Sequence, residues 1–276
     1  MNIDAYLTRI GLDHRPPPTL EGLCQVHRAH LMSIPYENLD VQLGRPVTIE
    51  RPAIYDKIVN RRRGGWCYEM NGILGWALGE LGFRVTRATG AVVRSLMGEF
   101  STGNHLVLRV DLPEGTYLAD VGFGDGPRDP IAIAEGPFVS HGFNFALARL
   151  DEDWWRFSND PRGGAPNFDF NLAAADEKLL SEKCEFLQIS PQSPFVQNLV
   201  AQRHVADGLK ILRGRTLRHL TAEDTTQRLI ESADDLVTIL RDEFALDMPE
   251  AASLWPKICK RHDDILQQAA AKAEEG

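Results

Sequence analysis

Gly64-Gly65-Trp66-Cys67-Tyr68-Glu69-Met70-Asn71-Gly72-Ile73-Leu74-Gly75-Trp76-Ala77-Leu78-Gly79-Glu80-Leu81-Gly82-Phe83-Arg84 contains the point at which the chain changes its periodicity. Met70, Ile73, Leu74, Ala77, Leu78 and Leu81 fall on one face of a helix with a period of about 3.6 residues, and Gly82 stands where a C-terminal cap belongs. From Phe83 the period drops to two. Arg84–Val93, His105–Leu112, Thr116–Gly122, Phe143–Leu150 and Trp154–Phe157 read as strands, with Pro and Gly clustered between them and most densely over Gly122–Pro137. Upstream the chain reads as helical. Leu7, Ile10 and Leu12 begin an apolar stripe that Pro16, Pro17 and Pro18 interrupt. Thr19 is placed to cap a helix through Leu23, Val26, His27 and His30, and Pro52 opens another through Ile54, Ile58 and Val59. After about Leu187 a mixed segment (Val196–Arg203, Gly208–Arg218) leads to a tail expected to be helical over Asp224–Glu231, Ala233–Glu243 and Leu254 to about Ala273. The expected class is α+β, with helices first, an antiparallel sheet or barrel next and a helical tail, in three regions that pack together.

Composition narrows the functional classes. Of the 276 residues 43% are hydrophobic and 25% charged, which suits a globular chain and excludes a largely disordered one. The net charge of −9 argues against a non-specific nucleic-acid binder. No run of about 18 apolar residues marks a membrane helix, and the N-terminus lacks the basic-then-apolar pattern of a signal peptide. Cys24, Cys67, Cys184 and Cys259 lie far apart, forming neither a disulfide framework nor a Cys-x-x-Cys metal pair. A reducing, cytoplasmic compartment is the simplest expectation.

Cys67 stands out among the thiols. It follows a Gly-Gly turn at the start of a helix, where backbone N–H groups lack intrahelical partners and the dipole is positive. Both features favour thiolate, and the same N–H groups suit an oxyanion formed during acyl transfer. A small buried core cysteine fits the position equally well. A thiolate nucleophile needs an imidazole, and the imidazole a carboxylate. The strand His105–Leu112 supplies His105, and the next supplies Asp120. A two-residue turn at Pro113-Glu114 pairs Leu112 with Gly115 and makes Asp120 a diagonal, same-face neighbour of His105. A one-residue slip would put Asp120 on the other face, and either residue taken alone reads more simply as a solvated side chain.

Other candidates are weaker. His27 and His30 share a helix face, but no third residue stands at metal spacing, so no metal is expected. Cys24, Cys184 and Cys259 read as inert. Arg61-Arg62-Arg63 reads as a helix end, with Arg63 a candidate partner for a carboxylate. Gly122-Phe-Gly-Asp-Gly126 lacks the Lys-Ser/Thr of a P-loop.

Several of these segments together resemble one family. Arg63-Gly-Gly-Trp-Cys-Tyr-Glu-Met-Asn71 resembles the active-site segment of the arylamine N-acetyltransferases, and Ile34-Pro-Tyr-Glu-Asn-Leu39 their Pro-Phe-Glu-Asn-Leu segment. Asn104-His105-Leu-Val-Leu is similar to the family's His strand, and Asp120-Val-Gly-Phe-Gly124 to its Asp motif. Ser193–Leu199 and Leu240–Asp247 resemble later signatures. The resemblance implies a helical N-terminal domain (1–85) bearing Cys67, a β-barrel domain (86–188) bearing His105 and Asp120, and an interdomain segment with an α/β C-terminal lid (189–276), around a catalytic core like that of cysteine proteases and transglutaminases. It implies a ping-pong reaction: Cys67 takes an acetyl group from acetyl-CoA as a thioester, and an arylamine, arylhydrazine or arylhydroxylamine removes it. No metal, nucleic acid or membrane is implied, and the chain is expected as a monomer or homodimer. Tyr36, Tyr68, Thr102, Gly103, Phe123 and Gly124 are the expected substrate and cofactor contacts. The sequence departs from the family at Tyr36 and Met70, in the spacing of Thr102-Gly103 before His105, and over Asp125–Pro130. Two alternatives share the triad: an amide synthase joining a polyketide acyl chain to an aromatic amine, and a transglutaminase-like thiol hydrolase.

Overall fold

A computed structural model describes residues 1–275. Gly276, the last residue of the expected 189–276 unit, lies outside the described residues. The helices Ile3–Arg9, Leu20–Ser33 and Cys67–Glu80 form as the apolar spacing predicts. The Thr19 hydroxyl accepts the Gly22 N–H at the second of these, so the predicted cap is present. The helix opened by Pro52 is shorter than expected. Arg51–Tyr55 is α-helical, and Asp56–Asn60 widens into a π-turn.

The middle region is a curled antiparallel sheet. Its hydrogen-bonded order is Ile131–Ala132, Gly115–Ala119, His105–Leu112, Arg84–Val92, Asn167–Ala174, Trp154–Ser158, Phe143–Arg149 and Gly136–Ser140. The two edge strands do not pair, so hydrogen bonds leave the curl open rather than closing a barrel. Leu112 pairs with Gly115, the register that the Pro113-Glu114 turn predicts. The interior of the curl is aromatic, with Phe145, Phe157, Phe168 and Phe170 packed beside Val107 and Leu118. Against its other face lies the helix Cys67–Glu80, whose Ile73, Leu74, Ala77 and Leu78 share a core with Leu108, Val110, Ala119 and Val121.

A second sheet contains Tyr36–Glu37, Val200–Val205, Gly208–Arg213, Thr216–Thr221 and Thr225–Leu229. The last of these corrects the expected helix over Asp224–Glu231. Thr225 and Thr226 are β-branched, and the segment pairs with Thr216–Leu220 as an edge strand. The helices Ala233–Phe244 and Trp255–Glu275 match the expected tail; Leu236, Ile239, Leu240 and Phe244 pack on Leu212. The strand Asn167–Ala174 and the helix Glu177–Ile189 have no counterpart in the sequence reading. Among the described residues no helix is long and apolar enough to cross a membrane.

Candidate active site

Cys67 is the first residue of its helix. Glu69, two residues on, accepts the Trp66 N–H through Oε2 and so takes up one unpaired donor at the helix start. The helix end meets the edge of the curled sheet where His105 begins its strand. His105 Nε2 and Asp120 Oδ2 are 2.7 Å apart. The Cys67 thiol donates to the Asn104 carbonyl at 3.8 Å and lines the same cleft as the imidazole. Burial disfavours a charged imidazole. The Asp120 carboxylate and its hydrogen bond, with a smaller contribution from Cys67, outweigh that cost and raise the His105 pKa to about 10. Burial likewise opposes ionisation of Asp120, but His105, the Asn71 amide and the Gly122 N–H hold its pKa below the ordinary value.

Asn71 joins the two halves of this site. It lies one helical turn after Cys67, so both face the sheet. Its Nδ2 donates to the Leu106 carbonyl at 2.6 Å and to Asp120 Oδ1 at 2.7 Å, and its Oδ1 accepts the Val121 N–H at 2.9 Å. The Asp-bearing segment comes close enough for these bonds because residue 122 is glycine. A Cβ there would stand 2.6 Å from Asn71 Nδ2 and 2.7 Å from Cys67 Cα. Beneath the helix start lies a buried charge cluster. Lys57 pairs with Glu69 and Asp40, each at 2.9 Å, and Arg63 pairs with Glu37 at 2.7 Å and Asp40 at 3.2 Å. The carboxylate partner expected for Arg63 is thus present. Burial raises the Glu69 pKa despite Lys57, whereas Lys57 and Arg63 lower that of Asp40 against the effect of burial.

Cys67 and His105 are each 2% exposed, and they form the floor of a cleft of about 370 Å³. Its walls come from three parts of the chain: Tyr36; Val92, Val93, Phe123 and Asp125; and Phe195, Gln202, Ile211 and Arg213. Tyr36 and Phe123 therefore stand on the cleft wall. Gly124, at φ 90, packs behind it; a Cβ there would strike Gln202 Oε1 at 1.7 Å. Tyr68 is in the core instead. It is fully buried and donates its hydroxyl to the Gly103 carbonyl at 2.6 Å. Thr102 and Gly103 lie outside the cleft wall; Thr102 donates to Glu99, and Gly103 packs near Leu179 and Lys183. Asp125 was not among the expected contacts. Burial raises its pKa to about 6, against bonds from the Gly164 N–H and Asn159. Its one signal in the sequence is its place as the first residue of the departing segment Asp125–Pro130.

A family model described as N-acetyltransferase matches residues 19–253. An arylamine N-acetyltransferase of Mycolicibacterium smegmatis is 36% identical, over 91% of this chain and 94% of its own. The chain belongs to the arylamine N-acetyltransferase family. Human arylamine N-acetyltransferase 1 is 30% identical over 96% of this chain and 98% of its own. Among solved structures, the Mycobacterium marinum arylamine N-acetyltransferase in complex with CoA superposes with a TM-score of 0.85 at 32% identity, covering 94% of this chain and 99% of that one. Members of the family are acyltransferases, and the mixed α/β architecture with its curled antiparallel sheet is theirs.

Proposed function

We propose that the protein transfers an acetyl group from acetyl-CoA to the nitrogen of an arylamine, arylhydrazine or arylhydroxylamine, through a thioester on Cys67. The observation that carries this reading is Cys67 and His105 on the floor of one cleft, with Asp120 behind the imidazole at 2.7 Å from Oδ2 to His105 Nε2. With Nε2 held by Asp120, Nδ1 is left for the sulfur. His105 holds the proton shed by the thiol, with Asp120 stabilising the imidazolium, while Sγ attacks the acetyl carbonyl carbon. Free N–H groups at the start of the Cys67 helix face the resulting oxyanion. The carbon–sulfur bond to CoA breaks, and the departing CoA sulfur receives the proton from His105. In the second half the amine nitrogen attacks the thioester carbon, His105 accepts its proton, and Cys67 leaves as the thiol. An aromatic amine is largely unprotonated at neutral pH, so its lone pair is available. Phe123, Tyr36 and Phe195 give the cleft flat apolar surfaces for its ring.

The same proposal covers the division of labour along the chain. Residues 1–85 bring the nucleophile, 86–188 bring His105 and Asp120, and 189–276 act as a lid that adds Phe195, Gln202, Ile211 and Arg213 to the cleft. A cysteine-protease-like core and a cytoplasmic location belong to this reading; four free thiols support the latter.

The test is the fate of the acyl-enzyme. On mixing with acetyl-CoA, one equivalent of CoA is expected as a burst, with an acetyl mass on Cys67 that persists until an anisidine is added. Steady CoA release without amine would identify a hydrolase. Iodoacetamide is expected to modify Cys67 before Cys24 and Cys184, whose thiols burial pushes up, and acetyl-CoA is expected to slow that reaction; first modification elsewhere would refute the nucleophile.

A further inference from the structure

Beside the catalytic cleft lies an apolar chamber of about 180 Å³. The two spaces share Val92, Val93, Asn104, Pro194 and Phe195 as common walls. Asn104 is also the residue whose carbonyl stands 3.8 Å from Cys67 Sγ. Beyond that shared wall the chamber is lined by Met97, Phe100, Phe186 and Leu187. Its few polar side chains are partly engaged within the protein. The Asn104 amide bonds the Val92 N–H and carbonyl. Ser193 Oγ accepts the Phe195 N–H, Gln192 Oε1 accepts from Ser190 Oγ, and Lys183 Nζ donates to the Phe100 carbonyl while lying over the Phe100 ring.

Amide or hydroxyl groups held against Met97, Phe100, Phe186 and Leu187 would go unpaired there. Hydrocarbon would not. The amine ring has its own surfaces elsewhere: Phe123 lies edge-on to the His105 ring at 5.9 Å, and Phe123 and Asp125 line the cleft without reaching the chamber. The group tethered to sulfur starts beside the shared wall, because Asn104, whose carbonyl stands 3.8 Å from Sγ, lines both spaces. We propose that the chamber receives the tail of an acyl group longer than acetyl, so that the protein also accepts unbranched aliphatic acyl-CoA donors of medium length. This rests on the acyl-enzyme reading above and uses the same balanced exchange. Sγ bonds the acyl carbonyl carbon, the bond to CoA sulfur breaks, and the proton passes through His105 to CoA.

The test compares acetyl-CoA with hexanoyl-CoA in the absence of amine, read as CoA burst rate and as adduct mass on Cys67. Hexanoyl-enzyme is expected to form at a rate within about tenfold of acetyl-enzyme. Met97 is half-exposed on the chamber wall, and Met97→Trp, which drives an indole into the space, is expected to lower the hexanoyl-to-acetyl ratio by about tenfold. Phe186→Ala, which enlarges the space, is expected to raise it. An acetyl adduct without a hexanoyl adduct would overturn the chamber proposal and leave the acetyltransferase reading intact. So would a ratio unmoved by both variants, or one unmoved while preference for 4-butylaniline over aniline shifts, which would give the chamber to the acceptor. Absence of both adducts would overturn the parent reading instead.

Discussion

Gly122→Ala tests whether the triad depends on one close approach between the sheet and the helix. The added Cβ would lie 2.7 Å from Cys67 Cα, 2.6 Å from Asn71 Nδ2 and 3.0 Å from the Cys67 carbonyl oxygen, whereas ordinary contact begins at 3.4 Å. Relief from the helix backbone alone requires the difference between 3.4 and 2.7 Å, a separation of 0.7 Å. Two of the opposing atoms are backbone, so no side-chain rotation removes the clash. Opening the junction by that amount lengthens the Asn71–Asp120 and Val121–Asn71 bonds from 2.7 and 2.9 Å to beyond good hydrogen-bond range. The fold is expected to lose about 1–3 kcal/mol as an overpacked core does. Acylation is expected to fall more steeply, by about a hundredfold, because displacement of a reacting group by about 1 Å has that effect. The stability loss would be read by urea unfolding and the acylation rate by the burst of CoA from acetyl-CoA. A variant that acylates at the wild-type rate with an unchanged urea midpoint would show that the contact does not set the triad. Stability lost without any loss of acylation would show that Asp120 keeps its place without Asn71.

Three further outcomes follow from the same geometry. Lys57→Met leaves Glu69, Asp40 and Glu37 without one of their two buried cations, and is expected to cost about 3–5 kcal/mol in denaturant unfolding; a change below about 1 kcal/mol would show the cluster to be hydrated. Asp120→Asn removes the charge that favours the imidazolium, and kcat/KM for an anisidine is expected to fall by about three to four orders of magnitude while the fold persists; a loss below tenfold would remove Asp120 from the mechanism. Stability should weaken in both pH directions. Burial, with the nearby Arg128 charge, pushes the His204 pKa down to about 3. The folded state then refuses a proton that the unfolded chain takes near the usual value of about 6.5, so stability is lost as pH falls from there toward 3. His105, raised to about 10, has the opposite sign: its contribution is full below about 6.5 and is lost as pH rises toward 10. His204→Gln is expected to flatten the acid side only; an unchanged acid slope would refute the assignment.

What could be read from the sequence was local, and what could not was mostly set by partners distant in the chain. The helix bearing Cys67 announces itself because its apolar spacing and its glycine stop lie within one stretch. The pairing of His105 with Asp120 was legible because a two-residue turn fixes the register, and register fixes which side chains share a face. Thr225–Leu229 misled because a short polar edge strand carries little period of its own; Thr216–Leu220 makes it a strand. Tyr68 misled for a different reason. An aromatic residue next to Cys67 in sequence lies about 100° away around the helix, so with Cys67 facing the cleft Tyr68 turns into the core. Asn71, a full turn on, returns to the side of Cys67 and makes the bonds that Tyr68 cannot. The same geometry explains why the cleft wall was hard to foresee. Its floor comes from two adjoining segments, whereas Phe195, Gln202, Ile211 and Arg213 arrive from more than eighty residues beyond His105, and strand pairing brings them in. Tyr36 pairs with Gln202 across the edge of the second sheet, and that rung joins the N-terminal wall of the cleft to the wall supplied by Gln202, Ile211 and Arg213. The Cys67–His105–Asp120 row is thus set by one helix start and one hairpin, while the rest of the cleft wall comes from residues that only the fold brings near.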